Sequence, residues 1–406
     1  MTSRSGDHQP KRWVWGAAWG VSLLLGGLAL AQGAASILPA AAAVHIAPWS
    51  GRWKAELAAQ HLAAGDVEGA RSLALQALRG EPANVEALRT LGLAAAQAGD
   101  PKAERLVSLA AERGFRDGPS HLWMFENRVR ARDYPAAFLH ADALLRRRLD
   151  VRASMFRTVA ELARNDPAAK TALIERLETE PSWRSEFFYY LANDGLYAGL
   201  ADDLALGLNA AGHGLSPDEQ TIIYMGLVSQ RRLAEVSRLR RGLGGQANSL
   251  VVDSAFDGVS EPLPFRWNLF GGVGSAVDLT EDGLRGGNRA LRIEYDGYSA
   301  PGMVNQLLLL EPGRYELVGQ RRSEDDQPIR TGWSIICADD GRMIASESVA
   351  PPQHHWARFR LAFEVPAQGC VGQWLQLQAH PLDRRQTIVV WYDDLNVQRA
   401  EMKQAF

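Results

Sequence analysis

The stretch Gln373 to Gln378, "QWLQLQ", sets an indole and three amides around two leucines in alternation. In a strand, successive side chains point to opposite faces, so Leu375 and Leu377 take one face and Trp374, Gln376 and Gln378 the other. An indole plane beside amides suits a polyhydroxylated ligand, which offers apolar C–H faces and a rim of hydroxyls that both donate and accept. Trp267 in "PFRWN" and Gln306 in "NQLLLL" have the same chemistry and join the set. The alternative for every one of them is core or edge packing.

Catalytic chemistry finds less support. Cleavage of a glycosidic bond needs two carboxyls about 5 to 9.5 Å apart across a cleft. Asp339-Asp340 lie in "CADDGR", which reads as a hairpin turn, and Asp393-Asp394, as neighbours on a strand, point to opposite faces. GxSxG, HExxH and P-loop patterns are absent, and His354-His355 lacks a spaced third ligand. The expectation is a protein that is not an enzyme and that needs no cofactor. A net charge of −3 and the lack of a recognition motif argue against nucleic acid as a partner.

The two cysteines, Cys337 and Cys370, fall outside any CxxC pattern, so zinc and thioredoxin-like chemistry have no support. Cys337 ends "WSIIC" and Cys370 precedes "VGQWLQL". In an exported chain a lone pair of thiols tends to be oxidised, and a Cys337–Cys370 disulfide is expected on that ground.

These residues must be positioned by a β domain. From about residue 253 the apolar period is 2, as in Leu291, Ile293 and Tyr295, or Phe359, Leu361, Phe363 and Val365. Turn-rich "EPGRY", "ADDGR" and "VAPPQHH" separate the runs, which indicates an antiparallel sandwich. Before it, "GLGGQANSL" reads as a linker. Earlier still the period is 3.6: Ala70, Leu73, Ala74, Ala77 and Leu78 form one apolar helical stripe. Ser216 before "PDEQ" is a helix start with a capping hydroxyl and proline at the first position. Arg146-Arg147-Arg148 read as a solvated helix end and "FFYY" (187–190) as packing between hairpins.

At the N-terminus, Arg4, Lys11 and Arg12 precede an uncharged run from Trp13 that meets no further charge until Arg52. About 20 apolar residues span a bilayer, and 13–33 supply them, with positive charge on the cytoplasmic side. The competing reading is a signal peptide cut at Ala31-Gln32.

Two resemblances add to this. Residues 57–58, 65–66 and 77 fall on 91–92, 99–100 and 111 at a spacing of 34, a period that resembles the tetratricopeptide repeat. Ala70, Ala77 and Pro82 match that family's positions; Lys54, His61, Ala74, Glu104 and Ser108 depart from it. A third copy is expected around Tyr134, Ala137, Ala141 and Leu144. The order "FDG…PFRW", "LRIEYDG", "EPGRYEL", "WARFRLAFEVP" and "VVWYDDLNV" is similar to jelly-roll carbohydrate-binding modules. That resemblance implies a structural calcium between the first and last strands, for which Asp253, Asp257, Asp393 and Asp394 are the carboxylates in place.

The expected architecture is multidomain α + β: a cytoplasmic 1–12, a transmembrane helix or uncleaved signal anchor over 13–33, a linker over 34–49, an α-solenoid of tetratricopeptide-like hairpins over 50–242, a linker over 243–252, an antiparallel β-sandwich (jelly roll) over 253–398, and a tail over 399–406. The combination resembles membrane-anchored bacterial accessory proteins of exopolysaccharide or envelope-glycan production. It implies an inner-membrane, single-pass protein with its domains in the periplasm. The solenoid would hold a protein partner and the sandwich a polysaccharide. The runner-up is a protein–protein scaffold that binds no sugar.

Overall fold

The computed structural model describes residues 26–147, 149–245, 250–282 and 289–400. The chain divides into two compact units, Met1–Met155 and Phe156–Phe406. The second unit holds the helices after residue 155 together with the sandwich.

The first unit is built of helical hairpins: Gly51–Ala63 with Val67–Gly80, Val85–Gln97 with Ala103–Arg113, and Gly118–Arg130 with Tyr134–Leu145. Aspartate or asparagine starts four of these helices: Asp66, Asn84, Asp117 and Asp133 each accept a backbone N–H of the first turn. The first helix of each hairpin ends in a residue of positive φ. Gly65 (84°) and Gly99 (71°) take that conformation freely, whereas in the third hairpin Arg132 (58°) must adopt it with a side chain. Small residues set the helix spacing. A Cβ on Gly92 would lie 2.7 Å from Val107 Cγ2, so Val85–Gln97 and Ala103–Arg113 approach to a distance only glycine permits.

The transmembrane expectation is corrected. Among the described residues no helix is long and apolar enough to cross a membrane. Residues 26–35 are helical, and 13–25 of the expected span lie outside the described residues. The segment 34–49, expected as a linker, carries the helix Ala40–Ile46, whose Ala43 packs with Ala35, Ala47 and Trp53.

In the second unit the helices Pro167–Glu178, Arg184–Asn193, Ala198–Ala210, Pro217–Ser229 and Leu233–Gly242 precede ten strands. Of "FFYY", Phe187 and Phe188 are buried, Tyr190 packs on Phe156 and Tyr197, and only Tyr189 is exposed. Ser216 and Glu219 form a reciprocal capping box at the start of Pro217–Ser229. The strands are β1 (Asn268–Leu269), β2 (Ser275–Glu281), β3 (Arg289–Tyr295), β4 (Val304–Leu308), β5 (Gly313–Ser323), β6 (Thr331–Cys337), β7 (Met343–Ser346), β8 (Ala357–Val365), β9 (Gln373–Ala379) and β10 (Ile388–Arg399). They form two antiparallel five-stranded sheets, ordered β1-β4-β9-β6-β7 and β2-β3-β10-β5-β8. Between them lies one core, in which Trp333 stands edge-on to Tyr392 at 5.6 Å. Helix and sandwich meet where Tyr224 packs edge-on to Phe265 at 5.0 Å and Leu263 N donates to Thr221 Oγ1 at 2.9 Å.

Candidate functional site

The alternation of β9 has the expected outcome. Leu375 and Leu377 are buried in the sandwich core, and Trp374, Gln376 and Gln378 lie on the outer face with intermediate exposure. Antiparallel register places Asn305 of β4 directly opposite Gln376, and Asn268 of β1 opposite Asn305. Three neighbouring strands thus carry amides in one row across the sheet.

At this end of the face is a cleft of about 400 Å³. Its floor is Asn305, Gln376 and Gln378, and its walls are Phe270 and the loop 300–303. The loop is held by Asp296. One carboxylate oxygen accepts the N–H groups of Tyr298 and Ser299, both at 2.9 Å, and the other accepts the Ser299 hydroxyl at 3.1 Å. Those backbone N–H bonds hold the Asp296 carboxyl below the usual carboxylate range, so it is ionised at neutral pH. Tyr295 OH donates to Ser299 O at 2.6 Å, and Phe270 N donates to Met303 O at 2.7 Å, which ties the aromatic wall to the loop. Phe270 is 39% exposed, enough to present a ring face to a ligand.

The three floor amides differ from those of the interior. Gln306 is 1% exposed; its Oε1 accepts from Val252 N and its Nε2 donates to Val252 O, each at 2.9 Å. Gln373 likewise accepts from Leu310 N and donates to Cys370 O, both at 2.9 Å. Among the described residues, the side chains of Asn305, Gln376 and Gln378 make no internal hydrogen bond, and all three open into the cleft. An amide left unpaired at a solvated concave surface is what hydroxyl recognition uses.

Two of the expected ligand residues are therefore corrected. Gln306 is on the inward-facing parity of β4 and clasps the 250s segment to the sheet. Trp267 is 7% exposed, stacks near Phe256 and Trp333 at 5.1 and 5.6 Å, and donates its indole N–H to Asp253 O at 2.8 Å. Trp374 stays on the outer face but outside the cleft. It is the register partner of Leu307, which is buried where Leu233 of the helix Leu233–Gly242 approaches Gly372. Phe270 and Asn305 replace these residues at the site, and neither is in the set read from the sequence.

The carboxylates expected at a calcium, Asp253, Asp257, Asp393 and Asp394, do not gather, among the described residues, into a group of three or more ligand atoms. Among the described residues the one group of three or more closely placed metal-ligating side chains is Cys337, Asp339 and Cys370. Asp253 accepts Gly258 N with both oxygens at 3.1 Å, Asp393 accepts Asp394 N at 2.7 Å, and Asp394 accepts Gln320 Nε2 at 2.5 Å. Asp257 is exposed and offers its carbonyl to Arg289. Asp253 and Asp393 thus accept backbone N–H groups near them in sequence, and Asp394 accepts a side-chain amide of the neighbouring β5. Cys337 and Cys370 are joined in a disulfide, with their Cα atoms 5.4 Å apart, which links the end of β6 to the approach of β9. Asp339 Oδ2 braces the same approach by accepting Val371 N at 2.7 Å.

No family model matches the chain, and no curated protein matches it. Solved structures that resemble it are carbohydrate-binding-module-like β-sandwich domains. One is a protein described as sugar-binding from Bacteroides thetaiotaomicron, 11% identical, covering 38% of this chain and 100% of that one with a TM-score of 0.30. A CBM4 domain is 15% identical over 37% of this chain and 99% of its own, with a TM-score of 0.29. The CBM22-1 xylan-binding domain from Paenibacillus barcinonensis is 14% identical over 36% and 92%, with a TM-score of 0.28. The sandwich assigned to the present chain stands on its own strand register, and the ligands named for those domains are theirs.

Proposed function

We propose that the sandwich binds a saccharide in the cleft of Phe270, Asn305, Gln376 and Gln378. The helical hairpins would hold a protein partner, making the protein a non-catalytic adaptor in the handling of an exopolysaccharide or other envelope glycan. The observation that carries the saccharide part is the group of three side-chain amides, Asn305, Gln376 and Gln378, without internal partners in a cleft that also holds an exposed phenylalanine. Stacking of C–H faces on the ring and hydrogen bonding to the amides are the two interactions a sugar needs. The disulfide supports an oxidising compartment as the place of work. The partner role of the hairpins rests on their stacked arrangement and on the 34-residue spacing, which resembles the tetratricopeptide repeat.

Titration calorimetry of the full chain against neutral hexaoses of glucose, xylose and galactose tests this reading. One of them should bind, and Gln376→Ala or Gln378→Ala should each weaken it about tenfold, as loss of ~1.4 kcal/mol of hydrogen bonding implies. Both positions are on a solvated strand face, so circular dichroism should be unchanged. Absence of binding to all of them would favour the scaffold without a sugar site.

A further inference from the structure

At the other end of β4 a second cleft, of about 390 Å³, is lined by Arg240 and Arg241 at the end of the helix Leu233–Gly242 and by Arg399 at the end of β10, with Leu310, Glu311 and Tyr315. Three cations face one carboxylate, a local excess of two positive charges (3 − 1). Cations near a helix C-terminus are ordinary, but the way these three are held is not. Arg240 Cζ lies over the Phe265 ring, 3.7 Å from its centroid, and Phe265 is 1% exposed. Arg241 Nε donates to Ser237 O and Arg399 Nη2 to Pro312 O, each at 3.3 Å, so both guanidinium groups touch carbonyls. Among the described residues none of the three has a carboxylate within ion-pair distance. Elsewhere in the same unit Arg184, Arg238, Arg321 and Arg322 all do. Burial pushes the Arg240 guanidinium below its ordinary value, and the charges of Glu261 and Tyr224 oppose that shift. A partly desolvated cation with no carboxylate in ion-pair contact is held at an energetic disadvantage that an incoming anion would relieve.

We propose that this basic cleft binds the oxyanion of an acidic saccharide, a carboxylate or phosphate group held by the forks of Arg240 and Arg399. The saccharide half of this assignment rests on the glycan reading of the first cleft; the anion half stands on the arginines alone. Guanidinium groups present paired donors that match carboxylate and phosphate oxygens, and the low-dielectric ring beneath Arg240 strengthens that bond. Asn305 and Leu310 are five residues apart on β4 and its continuation, roughly 17 Å at strand rise, so the two clefts can be perturbed independently.

The test titrates the full chain with trigalacturonate, neutral galactotriose, galactose 1-phosphate and inorganic phosphate. The expected result is that trigalacturonate or galactose 1-phosphate binds at least tenfold more tightly than galactotriose, with an affinity that falls as salt rises. Arg399→Gln should remove most of that advantage, and Arg240→Lys, which keeps the charge but not the fork, should reduce it several-fold. Preference for the uronate assigns the carboxylate, and preference for the sugar phosphate assigns the phosphate. Equal binding of acidic and neutral sugars, or an acidic preference that Arg399→Gln does not change, would overturn the proposal. Inorganic phosphate binding as tightly as galactose 1-phosphate would overturn its saccharide half. Retention of acidic binding with loss of all neutral binding would sink the first cleft's reading and leave this one standing.

Discussion

Glu219→Ala is expected to destabilise the second unit by about 3–5 kcal/mol, the usual consequence of leaving one member of a buried ion pair alone. Glu219 accepts from Arg184 Nε at 2.8 Å and from Nη2 at 2.6 Å, and both side chains are nearly closed to solvent, at 6% and 7%. It also accepts the Ser185 hydroxyl at 3.0 Å and the Ser216 N–H at 3.1 Å. One carboxylate therefore joins the helices Arg184–Asn193 and Pro217–Ser229 and completes a helix cap. Burial alone would raise its pKa, but the bonds from Arg184 and Ser216 outweigh burial and leave it below the ordinary glutamate value. A carboxyl whose folded pKa is depressed stabilises the fold above its unfolded pKa, and that stability is lost as pH falls through the folded value. Denaturant titration followed by far-UV circular dichroism should show the midpoint drop for Glu219→Ala at neutral pH and a smaller difference in acid. Replacing Arg184 and Glu219 together by Met and Leu should restore much of the loss, because no orphan charge remains. An Ala variant as stable as the parent would show that the pair does not hold these helices.

Conversion of both Cys337 and Cys370 to serine should lower the stability of the sandwich by about 4 kcal/mol, from the chain entropy of a loop with a sequence separation of 33. The effect should fall on the β-sheet transition, since β6 and the approach to β9 belong to the five-stranded sheet that carries the amide row. Reduction of the parent protein should reproduce it. Two free thiols in denatured, unreduced protein would remove both the bridge and the support it lends to an oxidising compartment.

Periodicity made the sandwich and the helical hairpins legible, because both depend on local alternation. "QWLQLQ" shows the rule at its best: period 2 separated Leu375 and Leu377 from Gln376 and Gln378 without knowledge of any partner strand. Trp267 shows its limit. It immediately precedes β1, a strand of two residues, too short to display a parity, so its inward direction is set by packing against Phe256 and Trp333. On β4 the parity was there to be used, since Asn305 and Gln306 alternate. What decides that Gln306 is the inner one is Val252, 54 residues away, which takes both ends of its amide. The four aspartates lie in the first and last segments of the domain, and neighbouring backbone N–H groups occupy the oxygens of Asp253 and Asp393, a partnership that periodicity does not reveal. Phe270 follows β1 and precedes two glycines, a turn-like setting that alternation does not describe; its exposure depends on the 300–303 loop beside it. The transmembrane expectation rested on the run from 13 to 33, of which only residues 26–33 are described; among the described residues no helix is long and apolar enough to cross a membrane.

The most direct test of the saccharide cleft is hydrogen–deuterium exchange of the full chain with and without the neutral hexaose that binds best. Binding across Asn305, Gln376 and Gln378 should slow exchange in residues 300–305 and 373–379 and leave β8 of the opposite sheet unchanged. Protection confined to the opposite sheet or to the helices, with 300–305 and 373–379 unaffected by a saturating ligand, would contradict the assignment of this cleft.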